Sequence, residues 1–211
     1  MKVLRATVKS WTATFRYPTF QSGYQPTLPL PPISTILGLL SAAKGDIIGI
    51  KDVRFLGFIF FSRGKGIDIE KTYCLGEKTV TTDVIKREVL IDNTLYLYLP
   101  EEWREHLKKP RYQLLLGRSC DLAMVDEVKS IDLSKRDGVR IKNSLVPLGL
   151  PNAFGLVHAL PVEFDHATMP RKARIVKPFI LATHEFNYPG KTFYDTELGL
   201  GVWMYEYKDF S

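Results

Sequence analysis

The fold is decided by residues 15–45, FRYPTFQSGYQPTLPLPPISTILGLLSAAKG. Prolines punctuate positions 18–32, and because proline fixes φ and lacks an N–H, this part of the chain is not helical. An apolar segment follows at once. It predicts a helix that starts at Ser34 and Thr35 and ends near Gly45, since hydroxyl side chains favour helix starts and glycine favours helix exits. The stretch therefore predicts an extended crossover that leads into a core helix.

The start of this predicted helix is a candidate phosphate site. A first helical turn leaves backbone N–H groups unpaired, and Ser34 and Thr35 add two hydroxyls. Arg16 and Tyr17 precede them as a cation and as a ring on which an unpaired base can stack. Simpler interpretations stay open: a helix cap at Ser34 or Thr35, and an ordinary strand-end pair at Arg16 and Tyr17.

Basic side chains are concentrated at the beginning of the chain. The 211 residues carry a formal net charge of +6, and the first acidic residue is Asp46. An acid-free basic block of this kind favours an anionic partner such as nucleic acid. The block contains Lys2, Arg5, Lys9, Arg16 and Lys44.

Composition narrows the class of protein. With 45% hydrophobic and 12% aromatic residues, the chain can bury the core of one domain, or of one domain with a small appendage. Cys74 and Cys120 are far apart and have no metal-ligand spacing, which argues against a disulfide scaffold and fits a reducing cytoplasm. The longest apolar stretch, residues 33–43, is too short to span a bilayer. We therefore expect a cytoplasmic protein with no cofactor, no metal site and no membrane anchor.

The predicted elements alternate in an order typical of ferredoxin-like domains, which include RNA-recognition domains. This α+β pattern, βαββαβ, is predicted for residues 1–134. Residues 63–90 form a charged hairpin within it, and because that hairpin has few large apolar residues near its tip, we expect it to project. Residues 135–211 are predicted to form a small β-rich C-terminal part. The main elements are strands 2–10, 51–62, 94–99 and 122–133 and helices 33–44 and 100–110.

A second basic run lies in the C-terminal part, at residues 171–177, RKARIVK. It contains no acidic residue. The simpler interpretation is a solvated edge strand, in which lysines discourage aggregation. A contact with a partner protein or with DNA is the alternative.

Several ordered blocks of this sequence resemble one known family across roughly residues 1–130. The chain is similar to the fifth CRISPR-associated protein family of the RAMP superfamily, and its short C-terminal part looks most like the subtype I-B version. The blocks are FRYP at 15–18, TLPLPPISTILGLLSAAKG at 27–45, IKREVLIDNTLYLYL at 85–99 and KKPRYQLLLGRSCDLA at 108–123.

The resemblance implies a non-catalytic subunit of a Cascade complex that caps the 5′ handle of the crRNA in antiviral defence. Its implied partners are the crRNA handle, a backbone subunit and the large subunit that reads the PAM, with target DNA near the PAM as a further contact. The projecting hairpin would be a thumb inserted between the RNA and backbone subunits.

The resemblance also implies three groups of RNA contacts. Arg118 is the strongest single candidate, because a glycine turn lets the backbone approach a ligand and arginine grips phosphate with a fork of donors. An ordinary surface arginine in a tight turn is the simpler interpretation. The three groups are Arg16, Tyr17, Ser34 and Thr35 at the helix start; Gly117, Arg118 and Ser119 in the turn; and Arg63, Lys65, Lys78 and Arg87 in the thumb.

Two other functions stay open. One is a metal-independent endoribonuclease that processes precursor crRNA, which needs a base for the 2′-OH proton and an acid for the leaving oxygen. One subgroup of the resembled family, subtype I-C, cuts precursor crRNA with a Tyr and an adjacent Lys-His pair. This sequence has no Lys-His dipeptide, and its four histidines show no metal spacing, so we expect no cleavage. The other is a protein-interaction module without RNA, against which the acid-free basic block argues.

Overall fold

The computed structural model describes residues 1–17, 23–76 and 79–210. Strands dominate this part of the chain, and the predicted mixed α+β class is confirmed in that coarse form. None of the helices described there is long and apolar enough to cross a membrane. The α-helices are α1 (Ile33–Lys44) and α2 (Arg104–Lys108), and 3₁₀ turns cover Ile50–Asp52, Glu101–Trp103 and Tyr207–Asp209. The strands are β1 (Lys2–Ala13), β2 (Tyr24–Gln25), β3 (Leu56–Leu75), β4 (Val80–Leu99), β5 (Leu114–Leu115), β6 (Leu122–Asp132), β7 (Ser134–Arg136), β8 (Val139–Ile141), β9 (Ser144–Pro147), β10 (Leu156–Asp165), β11 (Lys172–Ala182), β12 (Phe186–Tyr188), β13 (Thr192–Asp195), β14 (Leu200–Val202) and β15 (Met204–Tyr205).

A large, mainly antiparallel sheet forms the centre of the described structure. Its strands lie in the order β15–β3–β4–β1–β6–β5, and β2 joins β4 in parallel orientation. β1 is central and pairs with both β4 and β6. Because side chains alternate between the two faces of a strand, Leu4, Ala6 and Val8 enter the core shared with α1, while Arg5 points to the opposite face.

The crossover helix α1 follows the sequence signals at its end but not at its start. Helix α1 begins at Ile33, with Pro32 as its N-cap residue, and no side chain caps it. The predicted hydroxyl cap is therefore wrong, since Ser34 and Thr35 lie half-buried inside the first turn. Gly45 ends the helix in the left-handed conformation, with φ of 85°, as its position predicts.

β3 and β4 form one long hairpin. Each strand has 20 residues, and the register is constant from Gly57 opposite Tyr98 to Leu75 opposite Val80. The predicted core strands and the predicted separate hairpin are thus two ends of the same strands. The strand predicted to begin at residue 51 begins at Leu56 instead, because a 3₁₀ turn occupies Ile50–Asp52. Large apolar side chains are exposed on both strands in the outer half of this hairpin, namely Ile67, Ile69, Tyr73, Leu75, Val80 and Val84.

Residues after 134 cover both faces of the main sheet. The hairpin of β10 and β11 packs against α1 and adds Leu160 and Phe179 to the same core. The small sheet of β7, β13 and β14 lies on the opposite face, where Leu200 and Val202 pack against Ile59. The C-terminal strands therefore help to hold β1 in place.

A buried ion pair joins β1 to β13. Arg5 Nη1 donates to Asp195 Oδ2 at 2.6 Å, and the two side chains are only 4% and 2% exposed. The Tyr98 hydroxyl donates to the same carboxylate at 2.8 Å, and Arg5 Nη2 reaches Glu197 at 2.6 Å. Burial lowers the pKa of Arg5, but its hydrogen bonds to Asp195 and Glu197 outweigh burial, so the pKa is raised.

Asp195→Ala should lower the free energy of unfolding by about 3–5 kcal/mol, because Arg5 would stay buried without its main partner. Urea titration followed by circular dichroism measures the change. Glu197→Ala is the matched control, since that side chain is 52% exposed and exposed ion pairs contribute little. Equal losses of unfolding free energy in the two variants would show that Asp195 is not the main partner of Arg5.

Candidate nucleic-acid interface

A cleft of about 650 Å³ opens where the end of β1, the first turn of α1 and the turn between β5 and β6 meet. Pro161 and Phe164 of β10 and Arg171, just before β11, complete its lining. The cleft brings together residues that the sequence singled out in separate parts of the chain. Five of them line it: Arg16, Ser34, Thr35, Gly117 and Arg118.

The helix start contributes a wall suited to an anion. The first turn of α1 contains no acidic residue. The N–H groups of Ile33 and Ser34 have no acceptor among the described residues, whereas the Thr35 N–H donates to the Pro32 carbonyl at 2.9 Å. Thr14 also lines the cleft, is 4% exposed, and carries a buried hydroxyl that pairs with no atom of the described residues. An unpaired buried hydroxyl is costly. Together these groups offer donors to a ligand that brings acceptors, such as a phosphate.

The turn of residues 116–121 is built around a fully buried carboxylate, Asp121. Asp121 accepts hydrogen bonds from the Thr12 hydroxyl at 2.7 Å and from the Arg118 backbone N–H at 2.9 Å. Burial alone would raise the pKa of Asp121, but its hydrogen bonds from the Arg118 side chain and backbone and from Thr12 outweigh burial and lower it. The turn is therefore fixed to β1.

Gly117 lets this turn approach β1 closely. Its φ is 129°, and a Cβ there would lie 2.1 Å from the Thr14 carbonyl oxygen. The Thr14 N–H donates to the Leu116 carbonyl at 3.1 Å. Only glycine satisfies both the backbone conformation and the contact. Ser119, the third residue predicted in this turn, is exposed and does not line the cleft.

Arg118 is not an unopposed cation. Its Nη2 lies 3.1 Å from Asp121, and its Nη1 lies 2.7 Å from Asp68 and also contacts Glu70. Burial lowers the pKa of Arg118, but hydrogen bonds to these three carboxylates outweigh burial and raise it. Arg118 therefore ties the long hairpin to the turn, which the sequence did not indicate because two of the partners lie about 50 residues away.

Arg87 is also engaged inside the protein. Its Nη2 lies 2.8 Å from Glu70, its Nη1 contacts Gln25, and the side chain is 5% exposed. Burial raises the pKa of Glu70, but hydrogen bonds from Arg87 and Arg118 outweigh burial and lower it. We call Arg87, Glu70, Asp68, Arg118 and Asp121 the Arg118 cluster.

Two further thumb candidates, Arg63 and Lys65, lie on the long hairpin and do not line the cleft. Arg63 pairs with Asp92 at 3.2 Å, and Lys65 pairs with Glu88 at 3.3 Å. Both side chains are exposed enough to meet a partner. Lys78 lies outside the described residues.

Tyr17 is half-buried beside the cleft. Its ring packs edge-on against His158 with 5.0 Å between centroids. Burial raises the pKa of the Tyr17 hydroxyl, and the negative charge of Glu88 adds to the effect.

Part of the acid-free basic block is neutralised in three dimensions. Arg5 pairs with Asp195, and Lys9 lies 2.8 Å from Asp126. These two basic side chains of the block therefore have acidic partners in the fold. Arg16 is exposed and has no ion-pair partner among the described residues.

Arg171 lines the cleft, but it was not among the residues predicted from the sequence to contact RNA. It is exposed, lines the cleft, and has no ion pair within the described ranges. In the sequence, Arg171 is marked only by its place in the basic run 171–177. That run does not indicate which side chains face the cleft. Arg16 and Arg171 are therefore the cleft's uncompensated arginines in this part of the structure.

No group of three or more His, Cys, Asp or Glu side chains in the described ranges is placed to hold a metal ion. Cys74 and Cys120 are unpaired and exposed.

A fold similar to the described strand-rich α+β fold is found in chains of solved CRISPR structures. A chain of a CRISPR RNA-guided surveillance complex superposes with a TM-score of 0.57 at 16% identity, covering 89% of this chain and 91% of that chain. A chain of the type III-B Cmr-beta complex, bound to cognate target RNA and AMPPnP, gives 0.56 at 14% identity over 89% and 86%. A CRISPR protein from Archaeoglobus fulgidus gives 0.52 at 13% identity over 98% and 100%.

At these identities the likeness concerns the fold. No protein-family model matches the chain. No curated protein matches it either.

Gly117→Ala should destabilise the protein by at least about 2 kcal/mol more than Gly138→Ala, because only the first places a Cβ against backbone. Gly138 is the matched control, since its φ is 64° but its Cβ position is open. Urea titration of both variants measures the difference. Equal losses would show that the turn can move away from β1.

Stability should fall in acid through the Arg118 cluster. Folding lowers the pKa of Asp121 below its usual 3.8 and that of Glu70 below 4.5. Such carboxylates stabilise the fold above their unfolded pKa, and this contribution is lost as the pH falls through the folded-state pKa. The free energy of unfolding should therefore decline below about pH 4.5.

Urea titrations across this pH range should show a flatter acid limb in Asp121→Asn. The exposed Asp137 supplies the control, and Asp137→Asn should keep the wild-type profile. An unchanged acid limb in Asp121→Asn would rule out Asp121 as its source.

Proposed function

We propose that the chain is a non-catalytic RNA-binding subunit of a CRISPR effector complex, and that it holds the 5′ handle of a crRNA. The resemblance of several sequence blocks supports this proposal, as does a fold shared with chains of CRISPR structures. The chain order β1–α1–β3–β4–α2–β6 and the antiparallel neighbours β3–β4–β1–β6 are compatible with a ferredoxin-like core.

The observation that carries the proposal is the convergence of Arg16, Arg171 and the first turn of α1 on one cleft. A phosphate at the helix start would accept hydrogen bonds from backbone N–H groups and from the hydroxyls of Ser34 and Thr35. The two arginines would each grip a phosphate oxygen with a planar fork of donors. Arg118 and Gly117 shape this cleft, and Tyr17 beside it offers a ring to an unpaired base.

The protein partners in this proposal are a backbone subunit and a large subunit of a Cascade complex, with a subtype I-B system as the nearest type. The long hairpin would act as the thumb. Ile67, Ile69, Tyr73 and Leu75 alternate along β3, so they share one face, and all four are more than 60% exposed. Exposed apolar side chains grouped on one face of a strand are typical of a protein interface. Lys172 and Lys177 lie on the other hairpin, where target DNA near the PAM is the proposed contact.

One observation favours endoribonuclease activity as a second candidate. Tyr17 and His158 are in ring contact beside the cleft, and Tyr with His is a pair that can exchange protons with a 2′-OH and a leaving oxygen. Cleavage of repeat RNA in EDTA that is lost in Tyr17→Phe and His158→Ala would establish this function instead.

Arg16→Ala and Arg171→Ala should each weaken binding of a labelled 5′-handle RNA and reduce the salt slope by about one unit per lost phosphate contact. The purified protein is titrated in EDTA at several salt concentrations, and each sample is run on native and denaturing gels. Arg140→Ala is the control, because Arg140 is exposed on β8, pairs with Glu185 and lies outside the cleft.

A salt-sensitive shift with intact RNA supports the proposal. Equal slopes in all three variants would remove the cleft from the RNA interface. Absence of binding, repeated with the backbone subunit co-expressed, would leave the protein-interaction module as the remaining function.

A further inference from the structure

Arg118 lines the cleft, and its guanidinium donates hydrogen bonds to carboxylates on two different elements. Nε and Nη2 face Asp121, at 3.2 and 3.1 Å, within the same turn. Nη1 faces Asp68, at 2.7 Å, and Glu70, both on β3 of the long hairpin. One edge of the guanidinium is thus held by its own turn and the other by a different element.

The two kinds of partner differ in how firmly they are held. Asp121 is fully buried and is fixed by Thr12 and by backbone hydrogen bonds of the turn. The Asp68 side chain is 47% exposed and the Glu70 side chain 27% exposed. Water can therefore replace Arg118 as the partner of Asp68, whereas it cannot reach Asp121.

Glu70 would keep a cation if Arg118 left it. Arg87 donates to Glu70 from Nε at 3.0 Å and from Nη2 at 2.8 Å, and both residues belong to the long hairpin. Separation of the hairpin from Arg118 therefore leaves each hairpin acid either paired or solvated. The cost of breaking this contact is low compared with breaking the Asp121 contact.

A phosphate oxygen and a carboxylate oxygen compete for the same guanidinium donors, since both are anionic acceptors of similar geometry. Nη1 carries two N–H donors, and Asp68 and Glu70 both accept from it in the free chain, so a phosphate oxygen must displace one of them. Resting on the function proposed above, we propose that Asp68 and Glu70 occupy in the free chain the edge of Arg118 that an RNA phosphate takes in the complex. RNA binding then releases the part of the long hairpin around Asp68 and Glu70, which we call its root, from the turn.

Removal of the competing carboxylate should strengthen RNA binding. Asp68→Asn is the informative variant, because Asp68 contacts Arg118 and leaves the Arg87–Glu70 pair intact. Its affinity for 5′-handle RNA should rise by about 2- to 10-fold, the equivalent of one competing hydrogen bond. Asp83→Asn is the matched control, since it makes the same charge change on the same hairpin, and the exposed Asp83 carboxylate accepts a local hydrogen bond from the Val84 N–H at 2.8 Å.

The gain should disappear when Arg118 is also replaced, in Arg118→Ala/Asp68→Asn. A gain that survives this replacement, or one equal to that of Asp83→Asn, would overturn the proposal and make Asp68 a purely structural partner.

The chain's two cysteines allow the release to be measured directly. Cys74 lies near the tip of the long hairpin and Cys120 in the turn, and both are exposed. Spin labels on the two thiols of the full chain report the hairpin-to-turn distance by pulsed electron paramagnetic resonance. We expect this distance distribution to shift or broaden when handle RNA is added, and to move in the same direction in Asp68→Asn without RNA.

The outcomes separate the two proposals. RNA binding with an unchanged Cys74–Cys120 distance overturns the exchange at Arg118 and leaves the RNA-binding function standing. Absence of RNA binding in the wild type, alone and with the backbone subunit, overturns both.

Discussion

The geometry of the cleft depends on one buried carboxylate. Asp121 is 0% exposed, and it fixes the turn of residues 116–121 to β1 through Thr12 and aligns the Arg118 guanidinium. A buried carboxylate persists only when hydrogen bonds and a cation compensate its lost hydration. Because Arg118 also reaches the long hairpin, three elements meet at this group: the central strand, the turn and the hairpin root. The arrangement of these three elements determines the shape of the cleft rim.

Three arginines of the chain hold the free fold together. Arg5, Arg87 and Arg118 are each paired with carboxylates and largely buried. What is left at the cleft is a small number of uncompensated donors, and Arg16 and Arg171 line it together with the first turn of α1. Net charge therefore overstates the electrostatic attraction of this surface, whereas the position of the few unpaired cations specifies it.

The sequence predicted the parts of this fold that are encoded locally. Proline positions and Gly45 located α1, and Gly117 marked a turn, because these residues restrict or extend backbone conformation wherever they occur. The partners of the charged residues were not predictable in the same way, since Arg5 pairs with a residue 190 positions away. Arg118 shows the same limit: its role as a tie between elements depends on Asp68 and Glu70, which no short-range pattern connects to it. The placement of Arg171 at the cleft likewise follows from how β10 and β11 pack on α1.

Because the register of β3 and β4 is continuous, the long hairpin can move as one rigid arm. A strand rises about 3.3 Å per residue, so the ten residues from Gly66 to Leu75 form an arm of about 30 Å. A rotation of only about 10° at the root would carry its tip through about 5 Å, a distance comparable to the spacing of neighbouring strands. Small changes in the ion pairs at the base of the arm are thus amplified at its far end.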